Sequence, residues 1–138
     1  MSRFTLIQIK SLMELCLEHS YFLWNNEIRK LVDSGPIGLS LMVVVAEGFL
    51  QSIEKKAFSI ARSPAIASCP ITHKRYVDDS HSRFTTKRKG NKFLNILNSI
   101  EKRVQFTAEY ENEEKMMNFC DNSVKNTGTG SYEFKVYR

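Results

Sequence analysis

Apolar residues first recur at helical spacing at Leu6, Ile9, Leu12, Met13, Cys16 and Leu17, which predicts an amphipathic helix over about Thr5 to His19. The run YFLWNNEIRKLV then reads as a hairpin, with strands Tyr21 to Trp24 and Glu27 to Val32. Asn25 and Asn26 tolerate the positive φ of the tight turn between them. The two glycines and one proline of DSGPIG break the pattern and predict a loop. Leu39 to Ala61 reads as a long helix with Glu47, Gln51, Glu54, Lys55 and Lys56 on its polar side, against the β-branched run Val43 to Val45.

Ser63 to Pro70 is small, polar and proline-bounded, a connector. His73 to Val77 and Ser82 to Thr86 are predicted to pair as short strands, leaving Asp78 and Asp79 at the turn. Lys87 to Gly90 reads as a basic loop, and Phe93, Leu94, Leu97 and Ile100 mark a helix to about Lys102. Val104, Phe106, Ala108 and Tyr110 alternate with polar residues, the pattern of a half-buried strand. A final pair of strands is expected at Met117 to Lys125 and Tyr132 to Tyr137, joined by Asn126 to Gly130. The expected fold class is α+β: antiparallel hairpins with helices packed on one side, in a single domain of 138 residues.

Charge changes this picture by locating a site. The chain carries a net +5, but residues 73–103 hold nine Lys or Arg against three Asp or Glu, a net of +6. Residues 1–72 are near balance and residues 104–138 are net acidic, so the excess surrounds the Asp pair and points to a polyanionic partner. Cys16, Cys69 and Cys120 are widely separated, and an odd count without a paired framework implies a reduced, intracellular setting. The C-x3-H spacing of Cys69 and His73 lacks a second pair to complete a zinc site. The longest apolar run, Leu41 to Ala46, is too short to span a membrane, so no membrane partner is expected.

The stretch KRYVDDSHSRF carries the candidate chemistry. Adjacent carboxylates repel and Asp is depleted from strands, so a cation is expected to offset Asp78 and Asp79. Magnesium takes hard oxygen ligands and leaves positions for water and phosphate. Two such ions about 3.5–4 Å apart stabilise the attacking and leaving oxygens of a phosphoryl transfer.

Tyr76-Val77-Asp78-Asp79 on a hairpin resembles the aromatic-x-Asp-Asp signature of reverse transcriptases, and the chain is similar to the Penelope-like retroelement type. LCLEHSYFLWNNEI and GPIGLSLMVVVA look like the helix, hairpin, substrate loop and helix that precede the signature in that family. FLNILNSIEKRVQFTAEYENE and MNFCDNSVKNTGTGSYEFKVYR look like the helix and closing strands that follow it. The resemblance implies a palm-like fragment of an RNA-directed DNA polymerase, with RNA template, DNA primer and dNTP as partners and Mg2+ or Mn2+ as cofactor. It implies Asp78 as principal metal ligand with Asp79 in support, and Tyr76 against the nucleotide and primer end, or else packing the hairpin. Gly38 matches a glycine that lets backbone approach template or nucleotide closely. Lys74, Arg75, Arg83, Lys87, Arg88 and Lys89 can contact backbone phosphates, or lie solvated.

The family also uses a third aspartate on a strand before the first helix, whereas no Asp precedes Asp33. Fingers strands and an endonuclease domain have no counterpart in these 138 residues. The expectation is a truncated palm region inactive by itself. The alternatives are a non-catalytic nucleic-acid-binding module and a retroelement relic without function.

Overall fold

In the computed structural model the residues described are 4–32, 35, 38, 40–128 and 131–136. Leu39, Tyr137 and most of the expected Asp33 to Gly38 loop, Asp33 included, lie outside them. The fold is mixed α+β, with three helices and three antiparallel sheets among the described residues. The chain divides into two compact units, Met1–Phe49 and Leu50–Arg138.

In the first unit, α1 (Leu6–Glu18) starts at Thr5, whose side chain accepts from the Gln8 N–H while Gln8 reaches back to the Thr5 N–H. This capping box satisfies two donors that an α-helix leaves open at its start. No residue of α1 is buried, so its apolar stripe stays at the surface. Ser20 turns the chain: its hydroxyl donates to the Cys16 carbonyl at 2.9 Å, and its own carbonyl accepts from Leu31 N. β1 (Tyr21–Trp24) and β2 (Glu27–Lys30) form the expected hairpin, with φ of 50° at Asn25 and 62° at Asn26. Two consecutive positive φ values define the twist-matched I′ turn that asparagine accepts.

Helix α2 (Ser40–Ala61) runs unbroken through the Val43 to Val45 triplet and crosses from the first unit into the second. Its second half supplies Ile53, Ala57 and Ala61 at four-residue steps, one helical face. They meet Phe93 and Leu97 of α3 (Lys87–Ile100) to make the buried cluster, with Phe58, Phe84, Ile96 and Phe106 packed around it. Each large side chain so buried contributes about 1.5–3 kcal/mol. Ala57 and Ala61 are fully buried in this cluster but, being small, add little apolar area to it.

The hairpin of β3 (Thr72–Tyr76) and β4 (Asp79–Arg83) packs against this pair of helices. Its register pairs Tyr76 with Asp79, so the two-residue turn is Val77-Asp78. The sequence expectation had both aspartates in the turn; Asp79 instead opens the second strand, because a two-residue loop closes the tighter hairpin.

Three further expectations are corrected. Lys87 to Gly90 is the first turn of α3 and not a loop: the Thr86 side chain caps it by accepting from Lys89 N. Gly90 is buried there, and a Cβ added to it would meet Phe84 and Tyr110 at 3.4–3.5 Å, ordinary contact. Residues Val104 to Tyr110 form no strand. Asn98 takes the place of a neighbouring strand, donating to the Phe106 carbonyl at 3.0 Å and accepting from its N–H at 2.7 Å. Met117 to Lys125 is not one strand but a hairpin, β5 (Met116–Phe119) and β6 (Asn122–Asn126), with Cys120-Asp121 at its turn. β7 (Tyr132–Val136) pairs with β6 to complete a three-stranded sheet in the order β5-β6-β7.

Candidate functional site

Strand alternation sorts the β3–β4 hairpin into two faces. His73, Arg75, Ser80 and Ser82 share one face by register; His73, Arg75 and Ser82 are half-buried, and Ser80 beside the turn is exposed. There the His73 ring stands edge-on to Phe58 with centroids 5.2 Å apart, and its Nδ1 lies 2.7 Å from Ser82 Oγ. Glu54 of α2 meets this face with Oε1 2.7 Å from Arg75 Nε and 3.2 Å from His73 Nε2. Thr72, Lys74, Tyr76, Asp79, His81 and Arg83 share the other face. Of the residues singled out from sequence, Lys74, Tyr76, Asp79 and Arg83 therefore come together, all exposed. Arg75 lies opposite them, its side chain 8% exposed and held by Glu54, away from any phosphate the open face would meet.

The tip is strained. Val77 has φ 56°, a left-handed value that a β-branched residue rarely adopts, and Asp78 does not share it. A positive φ at the first turn residue alone is the pattern in which glycine is usual. Arg75 Nη1 donates to the Val77 carbonyl at 2.8 Å, tying the tip to the covered face. Asp78 and Asp79 project exposed from this end.

A second tip lies beside it. Cys120 also has a left-handed φ, 52°, and is followed by Asp121, so Phe119-Cys120-Asp121-Asn122 repeats the layout of Tyr76-Val77-Asp78-Asp79. The His81 and Phe119 rings approach to 5.6 Å, and the Arg83 guanidinium donates to the Tyr132 hydroxyl at 3.0 Å, joining β4 to the three-stranded sheet. The Cys120 thiol is pushed above its ordinary pKa by desolvation first, then by the charges of Asp79, Asp121 and Asp78. The two tips thus concentrate negative charge in one region. His81 is pushed below its ordinary value by burial, with His73 adding in the same direction.

These elements border a groove of about 960 Å3, running from Asp78 and Asp79 past His81 and Phe119 to Tyr110 and Lys115. Lys87 borders it as well, with its ammonium 4.6 Å over the Tyr110 ring, and the Tyr110 hydroxyl bonds Asn91. Arg88 is exposed and Lys89 half-buried in the same helical turn. Gly38 belongs to the other unit; its φ of 99° and open surroundings satisfy a backbone demand.

Among the described residues no three His, Cys, Asp or Glu side chains gather closely enough to cage a metal. What the tip offers is a pair of adjacent exposed carboxylates beside a thiol whose pKa is raised by desolvation and the nearby carboxylates. Hard oxygen donors of that kind fit a largely hydrated Mg2+ or Mn2+ and do not suit a thiophilic metal. Sequence reasoning did not single out His81, Glu54 or Asp121. Strand alternation from Asp79 would have found the first, and the repeated aromatic-x-Asp spacing the last.

Among the described residues no helix is long and apolar enough to cross a membrane. No family profile, curated protein or solved structure matches this chain.

Proposed function

We propose that the chain carries the metal-holding hairpin and nucleic-acid face of an RNA-directed DNA polymerase palm, of the Penelope-like reverse-transcriptase type. One observation carries the reading. The aromatic-x-Asp-Asp stretch sits at the end of an antiparallel hairpin, covered by helices on one face and bordering a groove at its tip.

In this reading Asp78 and Asp79 hold Mg2+ or Mn2+, which when bound would neutralise phosphate charge during nucleotidyl transfer. Tyr76 lies across from Asp79 on the open face, in register to stack against the primer end or the incoming base. Lys74 and Arg83 flank it on the same face and receive backbone phosphates, while Lys87, Arg88 and Lys89 extend the cationic path along the start of α3. Two carboxylates hold a hydrated ion weakly, and positioning supplies much of the rate of phosphoryl transfer. The chain by itself therefore binds without extending a primer.

A binding module without catalysis is the second reading. The aromatic and cationic groove lining favours it.

Fluorescence anisotropy with an RNA–DNA hybrid, with and without Mn2+, separates the two. The polymerase reading predicts that Mn2+ tightens binding by the wild-type chain and not by Asp78→Asn. Equal tightening in both proteins, or none in either, would leave only the binding module. Primer extension on a poly(A) template that is abolished by Asp78→Ala would show that the chain completes its own metal site.

A further inference from the structure

We infer that Glu54 and Arg75 form a brace that holds the Asp78 turn in its left-handed shape, making both of them positioning residues for the aspartate pair. The inference rests on the metal-holding reading for its purpose, but not for its geometry.

The brace is a continuous polar connection from helix to turn. Glu54 is half-buried on α2 beside Ile53, which is fully buried, so its backbone is anchored in the helix core. Its Oε1 lies 2.7 Å from Arg75 Nε, and Arg75 Nη1 donates at 2.8 Å to the carbonyl of Val77. A guanidinium suits this task because its donors are fixed in one plane, so anchoring one edge aims the other. Lysine in the same place offers a single rotatable ammonium that cannot satisfy both ends in that fixed geometry. The carboxylate is itself aimed from a second side, by His73 Nε2 at 3.2 Å, whose other nitrogen meets Ser82. The Glu54, His73 and Arg75 side chains are only 15%, 13% and 8% exposed, which limits competition from water.

The turn needs such support. A β-branched residue in the left-handed region carries roughly 1–3 kcal/mol of backbone strain and persists only where its surroundings impose it. Were Val77 to relax, its carbonyl would rotate and the following residue, Asp78, would swing with it. The hydrogen bond from Arg75 falls on that carbonyl, where it opposes the rotation directly.

The test uses the full chain with Glu54→Gln and Arg75→Lys, and Lys55→Gln as a control on the exposed neighbour in α2. Two readouts are taken: 15N order parameters at Val77 and Asp78 without metal, and Mn2+ affinity by electron paramagnetic resonance. Order at the two turn amides should fall from the rigid range near 0.85 toward 0.6 or below in Glu54→Gln and Arg75→Lys, and stay in the control. Mn2+ affinity should fall about fivefold, matching roughly 1 kcal/mol of released strain. A Val77→Gly background removes the strain, so Arg75→Lys should there cost little Mn2+ affinity; a merely structural arginine would cost the same in both backgrounds. Unchanged order parameters in both brace variants overturn the inference. Lost order with no Asp78-dependent Mn2+ binding in any protein keeps the brace and removes the metal-holding reading.

Discussion

The ring of His81 on β4 lies 5.6 Å from that of Phe119 on β5, and this contact sets two aspartate-bearing turns side by side. Each turn pairs a left-handed residue with an aspartate, Val77-Asp78 in one and Cys120-Asp121 in the other. The thiol between them is the natural reporter of that charge.

Asp79→Asn should lower the pKa of Cys120, since Asp79 is the foremost of the charges that raise it. Removing a negative charge favours the thiolate, and the thiolate is the nucleophile. Alkylation by iodoacetamide at fixed pH, followed site by site in a Cys16→Ser background, should therefore run faster at Cys120. An unchanged rate would mean that the two tips do not share a field.

His81 gives stability a pH dependence of known sign. Its pKa is lowered on folding, by burial first and by His73 second, from an ordinary value of 6.5. The unfolded chain then binds more protons near that pH, so stability falls as pH drops below about 6.5. The urea midpoint should decrease between pH 7.5 and 5.5, and His81→Gln should show a smaller decrease. An equal loss in both proteins would assign the effect to another group.

Asn98→Ala should cost about 1–3 kcal/mol, because it strips two partly buried backbone groups of Phe106 of their partners. Amide exchange should rise over residues 104–112 while the amides of α3 around Phe93 keep their protection. Uniform loss across both segments would show that Asn98 supports the helix rather than the extended chain.

That segment also shows where the sequence misled. Alternation at Val104, Phe106, Ala108 and Tyr110 carries the period of a strand, yet a side-chain amide replaces the backbone partner, and no local pattern announces that. Lys87-Arg88-Lys89-Gly90 reads as a loop because its composition hides a helix start. The Thr86 cap, which accepts from Lys89 N, is what starts the helix there. The legible parts were those whose signal is local: the extent of α1, the Asn25-Asn26 turn and the apolar positions Phe93 and Leu97 of α3. Glu54, by contrast, was read as part of the polar side of α2 and turns to the covered hairpin face. The hairpin around Asp78 was legible as a hairpin, whereas the covered position of Arg75 involves Glu54, 21 residues away.

The basic turn of α3 should carry much of the salt dependence of RNA binding. Three cations at a helix start are disfavoured by the helix dipole, and a bound anion would offset that cost. Replacing Lys87, Arg88 and Lys89 together by Gln should reduce the slope of log affinity against log salt by about two to three, at roughly 0.7–0.9 per phosphate contact. A slope equal to that of the wild type would leave these residues as a solvated face.

The proposed function requires the Asp78–Asp79 end of the β3–β4 hairpin to hold a hard divalent cation. Titrating Mn2+ into the chain and into Asp78→Asn, with free ion read by electron paramagnetic resonance, tests it most directly. One weak site on the order of millimolar is expected, typical of sites with few protein carboxylates, that disappears in Asp78→Asn and competes with Mg2+. Superimposable titrations of the two proteins would contradict it.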